Sequence, residues 1–309
     1  MLQLRSLTDR ARAALALVLA AEPCPTPGAL EGGPALEARV DAYISRLRAH
    51  RRALADVGSP WVRLRERLDR HLRTEAVELM DRDDVPESTK TAMTHALHRQ
   101  NKVILSYHRF AHELHRMAAP IAALEGRPAR VLELACGAGE FTLTMAEQAR
   151  RRTLPFVMTG SDIVPAYVAL GRQKALERGL SVDFLELNAF DLQSVADGAF
   201  DLVFIAQSVH HFSPGQLARC IAEARRISRR GFFAIDGRRS LWVLAFATSA
   251  AALTGSRELV HDAVVTGRKL YSEPELMIIG QLAAPEARVT VRPMAPGYSM
   301  LEVEFAPVL

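Results

Sequence analysis

The sequence predicts an α/β fold: a seven-stranded, mostly parallel sheet with helices on both faces, preceded by an all-helical region. Three observations predict it. Through the first third of the chain, apolar residues recur every three or four positions, the period of a helix with one buried face. From Arg130 onward, short apolar runs alternate with helical stretches, the rhythm of a parallel sheet covered on both sides. The first of those runs leads through a glycine-bearing turn directly into a helix. The expected division is residues 1–120 as a helical unit, serving as a lid and a candidate homodimer arm, and 121–309 as the sheet domain.

Residues 2–20 read as a first helix, with Leu4, Leu7, Ala11, Ala14, Leu15 and Val18 on one face. The Pro/Gly-rich stretch Glu22–Pro34 cannot continue it and reads as a linker. Leu36, Val40, Ile44, Leu47, Leu54 and Val57 mark a second helix, which Gly58-Ser59-Pro60 stops. Trp61, Leu64, Leu68 and Leu72 start a third. A fourth follows Val85-Pro86-Glu87-Ser88 and runs through Leu97, Ile104 and Tyr107 to Met117. The arginines of residues 46–73 read as a solvated helical face.

Strands are expected at Val131–Ala135, Phe156–Ser161, Val182–Leu187, Phe200–Ala206 and Gly231–Ile235. Helices between them fall near Glu140–Arg151, Pro165–Arg178 and Gly215–Ser228. The apolar stretch Leu241–Leu253 reads as a helix packed in the core, followed by a polar loop that contains His261. A further helix opens at Ser272-Glu273-Pro274, with proline suited to a first turn. Val289–Arg292 and Met300–Phe305 supply the last two strands.

Composition narrows the function. At 309 residues and 49% hydrophobic, the chain can bury a full core. The net charge of +4 is uneven: residues 1–130 hold 21 Lys/Arg against 16 Asp/Glu. That bias suits an anionic or aromatic partner but lacks the dense basic stripe that nucleic acid requires, so no nucleic-acid partner is expected. No run is long enough to span a bilayer, and no membrane partner is expected. Asp9 and the sequence Ala21-Glu22-Pro23 argue against a cleavable leader. Cys24, Cys136 and Cys220 lie far apart without zinc-type spacing. No disulfide or zinc site is expected, and a reducing, cytoplasmic setting fits.

The strongest local signal is Val131-Leu-Glu-Leu-Ala-Cys-Gly-Ala-Gly-Glu-Phe-Thr142. Gly137 and Gly139 permit backbone geometry that a side chain would obstruct. This segment resembles motif I of class I S-adenosylmethionine-dependent methyltransferases, whose pattern has an acidic residue and three alternating glycines. Glu133, Gly137 and Gly139 match, while Ala135 stands at the first glycine position. Asp162, ending Thr159-Gly-Ser-Asp-Ile163, matches the acidic residue that accepts from ribose hydroxyls. Asn188-Ala189-Phe190-Asp191 is similar to the segment beside the adenine, and Phe200 to Phe212 is similar to the strand that ends in a His-His pair. Within that superfamily, Glu78-Leu-Met-Asp81, Ile235-Asp-Gly-Arg-Arg-Ser240, Val260-His-Asp262 and Tyr271-Ser-Glu-Pro-Glu-Leu276 resemble a bacterial group associated with polyketide and secondary-metabolite pathways.

The resemblance implies a Rossmann-like fold, S-adenosyl-L-methionine as cofactor and a small-molecule methyl acceptor, with O-methylation of a phenolic or polyketide-like compound as the expected reaction. The alternatives are methylation of RNA or protein, or a non-catalytic cofactor-binding regulatory or assembly subunit. It places Glu133, Ala135, Gly137, Gly139, Asp162, Ile163, Asn188, Ala189, Phe190 and Gln207 around the cofactor. Tyr107 and Arg109 are expected to close over it. His211 is the first candidate for a general base, then His210, with His261 in the region covering the acceptor. Arg238, Arg239 and Asp262 are candidates for holding an acidic or phenolic substrate. His108, His112 and His115 share a helix face but lack further ligands, and no metal is expected there.

Overall fold

The computed structural model describes residues 3–21 and 33–305. The expected linker lies outside them up to residue 32, as do Cys24 and the side chain of Val18. Five helices come first: α1 (Arg5–Ala21), α2 (Gly33–Asp56), α3 (Pro60–Leu72), α4 (Glu87–Val103) and α5 (Ser106–Glu125). The alternating part follows as β1 (Ala129–Glu133), α6 (Glu140–Arg152), β2 (Phe156–Asp162), α7 (Pro165–Glu177), β3 (Asp183–Glu186), β4 (Phe200–Ala206), α8 (Pro214–Ile227) and β5 (Ser228–Gly237). An insert, α9 (Leu241–Ala252) and α10 (Arg257–Lys269), precedes α11 (Glu273–Ala283), β6 (Arg288–Met294) and β7 (Tyr298–Glu304).

The seven strands form one sheet in the order β3-β2-β1-β4-β5-β7-β6. β7 runs antiparallel to both its neighbours, and the remaining pairings are parallel. This is the Rossmann-like, mostly parallel architecture expected from the sequence. Successive side chains of β4 alternate between the faces. Val203 and Ile205 join a core beneath α8 and α11, while Leu202 and Phe204 join a second core beneath α5 and α6.

The arm formed by α1 and α2 packs on the first of these cores. Ala11, Leu15, Leu36, Val40, Ile44 and Leu47 share one cluster with Leu217, Ile221 and Ile279. Asp41 of α2 latches this contact by accepting from the Gly215 amide at 2.7 Å and the Ser213 hydroxyl at 3.1 Å, at the start of α8. This packing within one chain accounts for the buried apolar faces of both helices without a second copy.

Five sequence expectations are corrected. The helix expected to run from residue 87 to Met117 is two helices, broken at Leu105, which takes a left-handed φ of 57° without a glycine to announce it. α3 turns its polar side inward: Trp61 and Leu64 are 56% and 55% exposed, whereas Glu66 and Asp69 are buried. Its partners explain the inversion, since Asp69 accepts from Arg51 at 2.5 Å and from the fully buried Arg239 at 2.6 Å. The arginines of residues 46–73 are therefore not uniformly solvated, Arg51 being buried between Asp69 and Glu66. The polar loop after α9 is instead the helix α10, capped by the Ser256 hydroxyl on the Leu259 amide. Finally, α9 is not a core helix. It buries only Ala251 and presents Trp242 and Phe246 to the surface, although it carries no charge. Among the described residues, no helix is long and apolar enough to cross a membrane.

Candidate active site

The carboxyl ends of β1 to β5 lie along one edge of the sheet, with the topological switch between β1 and β4. Open α/β sheets bind ligands at such a crevice. The turn after β1 enters it in left-handed conformation: Ala135, Gly137 and Gly139 have φ of 52°, 53° and 75°. Ala135 therefore adopts the conformation expected of the glycine it replaces, at a steric cost that a glycine would not incur. A Cβ at Gly137 would meet nothing within 4 Å, so the turn faces open space there. At Gly139 the constraint is internal, because a Cβ would lie 2.3 Å from the Phe184 ring. The same ring lies under Gly160 of β2 and Gly171 of α7, where a Cβ would stand 2.6 Å and 2.7 Å away.

The Asp162 carboxylate accepts from the Gly137 amide at 2.8 Å and the Val164 amide at 3.0 Å, which fixes it beside the turn. Ile163, next to it, is 60% exposed. Glu133 is withdrawn into the core, where its carboxyl accepts from the Thr142 hydroxyl. Burial pushes its pKa up to about 8, against the lowering effect of that bond. Asn188 is exposed and accepts from the Phe190 amide at 3.0 Å, Ala189 is buried, and the Phe190 ring meets Phe212 edge-on. Gln207, with φ 54°, accepts from the Asn101 amide group of α4 at 2.9 Å.

α4 and α5 stand over this edge. Tyr107 is buried, with its hydroxyl 2.8 Å from His98 Nδ1 and its ring against Phe141. His98 in turn lies 3.6 Å from Glu140 at the start of α6. Burial opposes ionisation of Glu140, but Lys174 and Arg178 prevail and hold its pKa at about 2. Arg109 donates to the Ile104 carbonyl at 2.6 Å, stapling the break between α4 and α5.

The two histidines occupy a 3-10 turn, Val209–His211, directly after β4. His210 is buried, its Nδ1 2.9 Å from Asp236 at the end of β5 and its Nε2 3.4 Å from Glu78. Burial disfavours the imidazolium, yet the two carboxylates outweigh it and raise the His210 pKa to about 10. His210 is thus held as a cation near neutral pH. His211 is more open, with Nδ1 2.9 Å from Asp81, and its ring lies 4.2 Å from that of His210. Glu78 precedes and Asp81 ends a second 3-10 turn, Leu79–Asp81. Asp262 of α10 orients that turn, accepting from the Leu79 and Met80 amides at 2.7 Å and 3.0 Å. Met93 and Ala96 of α4 pack there with Ala251 and Leu259, closing an apolar cluster around Leu79 and Met80.

The structure thus brings His210 and His211 together with three carboxylates to which the sequence reading assigned no role. Glu78 and Asp81 lie about 130 residues before the histidines in the sequence. His261 sits on α10, 2.9 Å from Asp262 and 46% exposed at its side chain, outside this cluster of partners. Arg239 is not free for a substrate: its guanidinium is spent on Asp69 and on the carbonyls of Arg268 and Leu270. Arg238 pairs with Glu273 at 2.8 Å. Cys136 and Cys220 are both free thiols.

Comparison with known proteins gives the following. Residues 131–231 match the family described as "Methyltransferase domain". The chain is similar to the demethylmenaquinone methyltransferase of Thermus thermophilus, at 38% identity over 117 residues, covering 36% of this chain and 51% of that protein. It is also similar to the ubiquinone biosynthesis O-methyltransferase of Xanthomonas axonopodis pv. citri, at 33% identity over 90 residues, covering 29% and 35%. The chain spans about half the length of the first of these, and about half that of the demethylmenaquinone methyltransferase of Deinococcus radiodurans. Among solved structures, the plantazolicin methyltransferase BpumL in complex with SAH shares the fold, with a TM-score of 0.52 at 10% identity over 71% of this chain and 91% of that one.

Proposed function

We propose that the chain is a class I S-adenosylmethionine-dependent methyltransferase, as the match of residues 131–231 to a methyltransferase domain supports, and that it methylates a hydroxyl oxygen of a small apolar phenol or enol, a polyketide-like or quinol-like compound. The observation that carries this reading is His211 beside Asp81 at the carboxyl end of β4.

The cofactor fits the edge on two structural grounds: the open space at Gly137 and the exposed Ile163 beside a fixed carboxylate. Gly137 and Asp162 would hold its methionine and ribose parts, with Ile163, Ala189 and Phe190 against the base and Gln207 near the reacting end. S-adenosylmethionine supplies a methyl group activated by its sulfonium. The protein's own task is to place and deprotonate the acceptor.

Asp81 holds the Nδ1 side of His211, which leaves Nε2 to accept a hydroxyl proton. The carboxylate then stabilises the imidazolium that forms, an arrangement worth ~10²–10⁴-fold in rate. His210, already protonated between Asp236 and Glu78, contributes fixed positive charge where an oxyanion develops. The apolar α9 and the Met93–Leu259 cluster suit an apolar ring. The names of the similar proteins, which concern quinone precursors, point to the same class of acceptor.

The test is to incubate the purified chain with labelled methyl donor and phenolic or quinol candidates, beside RNA and protein. Label in the small molecules, falling about a hundredfold or more in His211→Ala while cofactor affinity holds, is the expected result. Label in RNA or protein alone, or an unaffected variant, overturns it.

A further inference from the structure

We propose that Glu78, His210 and His211 bind one divalent transition-metal ion, and that this ion takes the oxygen of the methyl acceptor. Among the described residues, these three form the group whose His and carboxylate ligand atoms all lie within 4.8 Å of one another. They reach that position from two distant turns, one after α3 and one after β4. The histidine-rich face of α5, where a metal was considered from sequence spacing, does not gather in this way: His108 is engaged with Arg152, and Glu113 with Arg116 and Arg292.

A second observation separates this cluster from a chance gathering. Each histidine has a carboxylate behind one ring nitrogen: Asp236 lies 2.9 Å from Nδ1 of His210, and Asp81 lies 2.9 Å from Nδ1 of His211. Metal-ligating imidazoles are almost always backed in this manner, because the outer hydrogen bond fixes the tautomer and aims the other nitrogen at the ion. The third ligand is also held, since Glu78 Oε1 accepts from the Thr266 hydroxyl at 2.7 Å. The 3.4 Å separation of His210 Nε2 from Glu78 Oε1 is long for a charge-assisted hydrogen bond but natural for two ligands of one ion.

Charge points the same way. Glu78, Asp81 and Asp236 surround two imidazoles, with Lys269 a further cation acting on Asp81. Two neutral nitrogens and one carboxylate suit Zn²⁺, with one position left for a substrate oxygen. His211, the outermost of the three, leaves the site open towards the acceptor.

The inference rests on the proposed methyl transfer for its acceptor and alters two parts of it. Binding the ion displaces the Nε2 proton of His210 to solvent, so the positive charge facing the oxyanion is then the metal's rather than the imidazolium's. His211 gives its free nitrogen to the metal, and the acceptor hydroxyl, acidified by coordination, releases its proton to solvent. The methyl group then passes from sulfur to oxygen, and the electron pair of the carbon–sulfur bond stays on sulfur.

The experiment is titration of chelator-treated, full-length protein with Zn²⁺ by calorimetry and with Co²⁺ by its visible absorption, followed by methyl transfer with and without Zn²⁺. One equivalent is expected to bind, with tetrahedral-type Co²⁺ bands. Glu78→Gln and His211→Gln should abolish these, and the partly exposed Asp81→Asn should weaken binding ~10–100-fold without unfolding the chain. His112→Ala should leave binding intact. Failure to bind, or binding that survives Glu78→Gln and His211→Gln, overturns the site. Tight binding with transfer indifferent to chelation overturns the ion's role towards the acceptor. Methyl transfer that is chelator-insensitive yet lost in His211→Ala returns the proton to the histidine and leaves the proposed function standing. Specific metal binding without any methyl transfer would instead sink that function and keep the site.

Discussion

Glu133 offers a measurement that isolates one carboxyl beneath the edge proposed for the cofactor. It is fully enclosed, and its pKa stands at about 8 in the folded chain against an ordinary 4.5. A carboxyl raised on folding favours the folded state fully below the lower of these values, and its contribution is lost as pH climbs towards the upper one. Between about pH 5 and pH 8.5 the loss amounts to roughly 4 kcal/mol, taking ~1.4 kcal/mol for each pKa unit. Glu133→Gln keeps an acceptor for the Thr142 hydroxyl but cannot ionise. Urea unfolding of both proteins at the two pH values gives a double difference in which every other titrating group cancels. The variant should gain on the wild type by a few kcal/mol at the higher pH, and the two should approach each other at the lower. Parallel losses of stability in both proteins would refute the reasoning, and would mean that Glu133 is ionised and compensated in the folded chain.

Two further substitutions test the frame around the site. Ala135→Gly removes a side chain held at φ 52°; a gain of up to ~1 kcal/mol in chemical denaturation is expected, and a loss would show that the methyl group packs usefully. Asp69→Asn takes the shared charge away from Arg51, Arg73 and Arg239. A loss of about 3–5 kcal/mol is expected, and a change below ~1 kcal/mol would show that the arginines find water instead.

The parts read correctly from the sequence are those in which pattern and chemistry agree locally. β1, its glycine turn and α6 could be placed because an apolar run, left-handed positions and a helix start follow one another without interruption. α11 announced itself through Ser272 and the first-turn Pro274, and in the structure Ser272 forms a capping box with Glu275. α3 misled because its period is helical on both sides, and only the positions of Arg51 and Arg239 decide which side faces in. α10 was hidden by its charges, although Ser256 followed by Leu259, Ala263 and Thr266 carried a capped helical signal. The break at Leu105 has no marker in residue type. The carboxylates around His210 and His211 were beyond reach for a different reason. Asp236 ends another strand and Glu78 lies between two helices of the first part of the chain, and only the folded chain makes them neighbours.

The aromatic ring at position 184 has a consequence for how this crevice can change. It lies against the backbone of a loop, a strand and a helix at once, so it limits how closely those three pieces approach one another. Position 184 therefore works as a gauge. A smaller residue there would let the glycine-bearing loop sink towards the sheet, and a methyl group added to any of the three bare backbones would lift it. The depth of the crevice is thus set from the sheet's outer strand, by a residue that need not line it.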